Sequence, residues 1–389
     1  MHANQCFDFV IIGAGIAGAS LAYRLAGQAS VLVLERESQP GYHSTGRSAA
    51  MFMEAYGTPQ IQALTRASRA FYQRPPQGFC EHPLMEPRGC LYVASEEQLD
   101  QLQQTYDETR ARSANVRLIT AEQARALVPC LRPEAVAGAM LETAAQDLDV
   151  HALHQGFLRA MRRAGGLLEC DIQIVEASRE DRHWNLTLSD GRVLQARNLV
   201  NAAGAWVDDV AQLCGVAPIG LQPCRRSAFT FDGPPDEDFS RWPAVIGIDE
   251  SFYFKPDAGQ LLGSPANADP VPPQDVMPEE LDIATGIYHI ENVTSLSIRR
   301  PRHSWAGLRS FVADGDLVVG WDDRCEGFFW LAAQGGYGIQ SAAGVSQLAC
   351  ALLLGQPVPE ELLSQGVDAQ ALAPARLRCL LYTSDAADE

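Results

Sequence analysis

The stretch Val10-Ile11-Ile12-Gly13-Ala14-Gly15-Ile16-Ala17-Gly18 constrains the fold more than any other part of this chain. An apolar strand runs into G-x-G-x-x-G and then into a helical run ending near Ala26. A second apolar strand, Val31-Leu32-Val33-Leu34, follows and ends in Glu35. Strand, glycine turn, helix, strand and acid in this order mark a βαβ unit that binds a dinucleotide. Gly13 permits the tight turn, Gly15 lets the backbone approach a pyrophosphate, and Gly18 lets the helix close on the strand. The helix N-terminus at Ile16 and Ala17 directs free N–H groups and a positive dipole end at the phosphates. Glu35 lies 17 residues past Gly18, where a carboxylate accepts both ribose hydroxyls. The plain alternative is a glycine turn in an ordinary βαβ unit.

With 389 residues, the chain is long enough for two domains or one large interleaved one. A formal net charge of −18 argues against nucleic acid or an anionic membrane as partner. No apolar run reaches the ~18 residues of a membrane span, and the first strand starts too early for a signal peptide to precede it. The ten cysteines are scattered without a C-x-x-C pair, as expected of reduced thiols in a cytosol. A cytoplasmic protein is expected, free or peripheral to the inner membrane. His151 and His154 stand i, i+3 on a helical run, but no third ligand accompanies them, so they read as helix-surface histidines and no metal is expected.

Capping boxes at Ser95–Gln98 and Thr120–Gln123 open two helices, the second stopped by Pro129. Residues 149–164 read as an amphipathic helix with Leu153, Phe157, Leu158 and Met161 in phase. Residues 184–188, an Asp190-Gly191 turn and Val193 read as a hairpin, 198–203 as a separate short buried strand, and 338–354 as the last clear helix. The final stretch, 379–389, looks like non-native sequence and is set apart from fold reasoning.

Which dinucleotide is bound follows from what comes after Glu35. Arg36 and the polar loop 40–50, with Ser44, Thr45, Arg47, Ser48 and Ala49, exceed what a nicotinamide site needs. A flavin nucleotide must be wrapped along its whole length. A second close-approach strand ends at Ala203-Gly204, and a third glycine cluster, Gly335-Gly336-Tyr337-Gly338-Ile339, opens the last helix. That helix N-terminus suits the N1/C2 carbonyl side of a reduced flavin. Each later cluster alone is a tight turn; in this order they favour FAD over NAD.

On residues 40–50, Ala55–Gln60, Phe79–Pro83, 220–229, 249–259 and 305–316, the chain resembles the D-amino-acid-oxidase-type FAD oxidoreductases. Within that family it is most similar to the FAD-dependent dehydrogenases of D-arginine and other D-amino acids. The resemblance implies an α/β fold, with a Rossmann-like FAD-binding domain (4–77, 147–218 and 306–375) interleaved with an α+β substrate-binding domain on a mixed sheet (78–146 and 219–305). It implies that Arg226 and Arg309 hold the substrate carboxylate. Tyr56 and Tyr253 would bond to it or cover it, and Gly336 and Gln340 would lie near the substrate amine and the flavin. A planar guanidinium suits this task, because it grips a carboxylate through two parallel bonds.

Two departures stand out. Cys90 takes the place of the family member's guanidinium-binding glutamate, and Met51 that of a histidine near the flavin. Glu54, Glu81 and Glu86 are the acids expected to approach the pocket instead, and a shift away from D-arginine follows. Covalent relatives carry a cysteine where Ser310 follows Arg309, so FAD is expected to be non-covalent. The implied reaction moves a hydride from Cα of a D-amino acid to flavin N5, and the imino acid hydrolyses to a 2-oxo acid and ammonia. The electron acceptor is expected to be quinone-type or one the sequence does not identify, rather than oxygen. The alternatives are a glycine/sarcosine-type amine oxidase of the same fold and a flavin-bearing assembly protein.

Overall fold

The structure is a computed structural model that describes residues 6–378. The expected non-native segment 379–389 lies outside them. The fingerprint forms as read: strand Cys6–Ile12, helix Ile16–Leu25 and strand Val31–Leu34. The two strands pair in parallel, and further parallel pairings add Val193–Asn201, Phe328–Ala332 and Leu167–Glu169. This sheet is apolar on both faces, as parallel sheets must be. Phe9, Ile11, Val31 and Val33 point into one core with helices Ile16–Leu25, Val150–Arg163 and Gly338–Leu353. Val10, Leu32 and Leu34 point into another with Trp184, Trp330 and Ala211. Adjacent residues thus serve opposite cores, the period-two pattern of a pleated strand.

Residues expected as a hairpin arm and a separate short strand form one strand, Val193–Asn201. Its first half pairs antiparallel with His183–Leu188 and its second half parallel with Phe328–Ala332, so the one strand serves both the hairpin and the central sheet.

A second sheet carries strands from 90–142 and 222–311 and is mixed. Ala244–Gly247 runs parallel to Cys90–Ala94, and the other pairings are antiparallel. The division expected at 305/306 falls inside strand His303–Phe311, which pairs along its length with Gln222–Phe231 of this sheet. A small third sheet joins Met51–Phe52, Gln146–Leu148 and Met85–Pro87. Both capping boxes form, at Ser95/Gln98 and Thr120/Gln123. No helix among the described residues is long and apolar enough to cross a membrane.

Candidate functional site

Two of the three glycines of the fingerprint, Gly13 and Gly18, are required by distance. A Cβ on Gly13, at φ +100°, would lie 2.5 Å from the Ala202 carbonyl oxygen, and one on Gly18 would lie 1.9 Å from that of Gly13. Glu35 is buried; its carboxylate accepts the Ala14 N–H at 2.8 Å and the Glu37 N–H at 3.0 Å, fixing the glycine turn against the second strand. The Thr45 hydroxyl accepts from Ile16 N at 3.0 Å, which ties the 40–50 loop to the helix start. His154 corrects its expectation. It is buried, not on the surface, and its Nε2 contacts the Ala14 carbonyl at 2.8 Å. Burial lowers its pKa, with the Ala14 bond opposing, so a neutral ring braces the turn.

A cavity of about 330 Å³ opens beside these glycines. Of the expected nucleotide residues, Gly13, Gly15, Glu35, Arg36, Ser44, Thr45, Ala203 and Gly204 line it. Trp206, His43 and the 172–174 segment line it too and were not expected. The Arg36 guanidinium sits 3.8 Å from the Trp206 ring centroid, and His43 packs on the same ring at 4.7 Å. Together they make an aromatic and cationic wall, with the two rings tilted by 49°, that suits the π face of a purine base. Ala17 and Gly18 do not line the cavity; Gly18 lets the helix close on the first strand, and Ala17 packs against the core.

Through Ser44 and Thr45 the cavity continues into a second, lined by Ile16, Arg47, Ser48, Ala49, Gly335, Gly336, Gly338 and Ile339. Arg47 lines it, but its guanidinium reaches Asp275 and the carbonyls of Val276 and Ala306. The Ser44 hydroxyl likewise donates to Leu308 O at 2.6 Å. Both brace the loop. Gln334 lines this cavity, and its amide nitrogen and oxygen are buried with no partner among the described residues. Unpaired buried amide atoms are costly. A polar ring system beside them would satisfy them, so these residues fit an FAD that runs from Glu35 to Gly336.

The third cavity shares Ser48, Ala49, Arg226, Tyr253, Arg309, Gly336 and Ile339 with the second. Register brings its arginines together. Arg309 stands opposite Cys224, and Arg226 is two residues further along the same strand. The two are therefore diagonal neighbours on one face of the sheet. Arg225 faces the other way and is held by Asp282, Asp269 and Glu279. The Tyr56 hydroxyl accepts from Arg309 Nη1 at 3.1 Å, and Tyr337 packs on the Tyr56 ring at 5.0 Å. Tyr337 thus supports the substrate end rather than lining the nucleotide cavity. A Cβ on Gly336 would lie 2.7 Å from the Arg309 guanidinium.

Neither Arg226 nor Arg309 makes an ion pair with a carboxylate among the described residues. Burial and the neighbouring Arg309 charge both push the Arg226 pKa down. Around Arg309, burial also works against the charge, but the phenols of Tyr56 and Tyr253 outweigh it and hold the pKa up. Two adjacent, partly desolvated cations call for an anion between them.

Gln340 lies where it was expected, whereas Cys90, Glu54, Glu81 and Glu86 do not. Gln340 lines the cavity, but its amide already accepts from Met53 N at 3.2 Å and donates to the Thr65 hydroxyl at 3.0 Å. Cys90 is fully buried and is not part of the cavity lining. Glu54 is buried against Arg69 at 2.7 Å, and Glu81 and Glu86 are exposed elsewhere. The carboxylate that does line the cavity is Glu250, at φ +56° in the turn before Tyr253. Only its position in the 249–259 stretch hinted at it. Met51, Met53 and Ile246 supply the apolar wall. Among the described residues, no group of three or more His, Cys, Asp or Glu side chains is gathered for a metal.

Residues 8–352 match the family model described as FAD dependent oxidoreductase. FAD-dependent oxidoreductase domain-containing protein 1 of Bos taurus is 24% identical over 398 residues, covering 89% of this chain and 81% of that protein. The mitochondrial dimethylglycine dehydrogenase of Rattus norvegicus is 24% identical over 263 residues, covering 66% of this chain and 30% of that longer protein. L-proline dehydrogenase from P. horikoshii has the same fold, with a TM-score of 0.82 at 18% identity over 96% of this chain and 98% of its own. So does glycine oxidase from Geobacillus kaustophilus, with a TM-score of 0.80 at 20% identity over 94% and 99%.

Proposed function

This chain belongs to the family of FAD-dependent oxidoreductases, and from that premise we propose that it oxidises D-amino acids to imino acids, which water converts to 2-oxo acids and ammonia. The observation that carries this reading is the convergence of Arg226 and Arg309, two cations without a carboxylate partner among the described residues, on one cavity wall with Tyr56 and Tyr253. A substrate carboxylate answers both charges and fixes Cα by bidentate contacts. Relatives named for dimethylglycine, proline and glycine chemistry support a substrate whose amine stands next to a carboxylate. The D configuration rests on the long stretches at 40–50, 249–259 and 305–316.

When bound, the flavin would accept the Cα hydrogen together with its two electrons, as a hydride. The chain's own part is orientation and exclusion of water. Arg226 and Arg309 grip the carboxylate, the Tyr56 phenol holds the edge of Arg309, and Met51, Met53 and Ile246 dry the space around Cα.

The test is anaerobic mixing of the holoenzyme with a panel of D- and L-amino acids, glycine and sarcosine, followed by flavin absorbance. Bleaching by D-methionine, D-phenylalanine or D-leucine and not by their L forms is the expected result. The narrowness of the third cavity, about 70 Å³, favours a second reading, a glycine- or sarcosine-type oxidase. Bleaching by those small amines alone, with peroxide release in air, would establish it in place of the first. No bleaching by any of them would leave a flavin-bearing assembly protein.

A further inference from the structure

Tyr56 is carried by a short strap, residues 53–58, between strand Met51–Phe52 and helix Pro59–Gln73. The strap backbone is anchored on several sides. Gln340 takes Met53 N, and the Gln62 amide donates to the carbonyls of Ala55 and Gly57 at 3.1 and 2.9 Å. The two N–H groups directly before Tyr56, those of Glu54 and Ala55, converge on a single oxygen, Glu142 Oε1, at 2.7 and 3.2 Å.

Glu142 ends strand Gly138–Glu142, has no exposed surface, and makes no ion pair within 4.0 Å among the described residues. Arg69, whose charge is felt at Glu142, is engaged with Glu54 at 2.7 Å. Burying a carboxylate without a cation partner is expensive, and an apolar or amide side chain would pack there at less cost. What the charge adds is a stronger pull on the two strap amides.

We propose that Glu142 is a positioning residue for substrate binding: its ionised carboxylate holds the Glu54 and Ala55 amides, sets Tyr56 against Arg309, and relaxes that hold when it takes up a proton. The proposal rests on the reading of Arg226, Arg309 and Tyr56 as the carboxylate site. Burial pushes the Glu142 pKa up to about 7; the Ala55 and Glu54 amides pull it down, the Glu54 charge raises it and Arg69 lowers it. The Cys90 thiol and Tyr92 phenol face it from strand Cys90–Ala94, with the Tyr92 hydroxyl 3.5 Å from Oε2. Burial first, and the Glu142 charge in addition, hold both well above their usual pKa, so they stay protonated near neutrality. Glu54, on the strap, keeps its pairing with Arg69 and with the Asn115 amide at 3.1 Å. Protonating Glu142 as pH falls through 7 therefore weakens the hold on the strap, and binding of a carboxylate weakens in the same direction.

The test uses the holoenzyme and benzoate, a carboxylate with no amine of its own that stays ionised from pH 6 to pH 8, titrated through the flavin absorbance. Wild type should bind benzoate about five-fold more weakly at pH 6 than at pH 8, the scale of replacing a charged acceptor by a neutral one. Glu142→Gln should bind weakly at both, and its KM for a D-amino acid should rise while kcat falls less. Tyr56→Phe should also lose the pH dependence, because the effect runs through that phenol. A Glu142→Gln profile that tracks wild type overturns the proposal. So does a flat wild-type profile, or a Tyr56→Phe enzyme that keeps the dependence; those two also decide the matter if Glu142→Gln fails to load FAD. A wild type that binds no carboxylate at any pH overturns the reading of the site itself.

Discussion

At the scale of single residues, the two arginines carry separable burdens. Arg309 meets the Tyr56 hydroxyl, whereas Arg226 donates through Nε to the Asn267 carbonyl. Arg309→Met and Arg226→Met should each lower kcat/KM for D-amino acids by roughly 30- to 1,000-fold, the equivalent of losing about 2–4 kcal/mol of charge-assisted contact. FAD content, read from the visible spectrum of the purified variants, should stay near that of wild type. Unchanged kinetics in either variant would remove that residue from the site. Cys90 behaves differently from its aligned position. It is fully buried directly across the strand pair from Glu142, away from the cavity. Cys90→Glu would therefore set two carboxylates side by side in a dry interior, at a cost of several kcal/mol. Lower Tm and poor FAD loading are expected, measured by calorimetry and absorbance, and not a gain in D-arginine turnover. The acid whose removal should change the handling of cationic side chains is Glu250.

At the scale of elements, what could be read from the sequence was what local chemistry determines. The glycine turn, the capping boxes at Ser95 and Thr120, and the apolar phase of Val150–Arg163 are all short-range signals, and each formed. The second sheet was far less legible. A strand such as Gln222–Phe231 is buried along most of its length and shows no clean alternation, yet alternation decides its function. Arg225 and Arg226 are chemically alike in sequence, and only the pleat sends one to Asp282 and the other to the cavity. The diagonal placement of Arg226 beside Arg309 depends on the register between Gln222–Phe231 and His303–Phe311, which lie some eighty residues apart. The nucleotide wall shows the same limit. Trp206 follows a recognisable glycine segment, but the 172–174 segment lines the cavity only because Leu167–Glu169 joins the sheet edge beside Val31–Leu34. Family resemblance supplied Arg226, Arg309, Tyr56 and Tyr253, and misled at Cys90, because an aligned position does not fix which way a side chain points.

For the whole molecule, the cavities that fit the nucleotide are lined by residues of both large sheets. They begin at Gly13 and Glu35 beside the parallel sheet and meet the substrate cavity at Arg309 and Tyr253 of the mixed one. A ligand bound across both should stabilise the folded chain as a unit, by RT ln(1 + [L]/Kd), or about 2.7 kcal/mol at a hundred-fold excess over Kd. Tm of apoprotein should therefore climb with added FAD. Ser310, the residue after Arg309, is buried and carries a hydroxyl where covalent relatives have a thiol. Acid precipitation should release the yellow colour into the supernatant; colour retained in the pellet would contradict non-covalent binding. Gly15 offers the sharpest control. A Cβ there would stand 3.3 Å from the Thr45 hydroxyl that caps the helix, in the space the pyrophosphate needs. Gly15 has no positive φ, so a side chain brings no backbone strain of its own. Gly15→Leu should yield folded, colourless protein whose Tm no longer responds to FAD. A yellow Gly15→Leu protein with the wild-type Tm increment would place the nucleotide elsewhere.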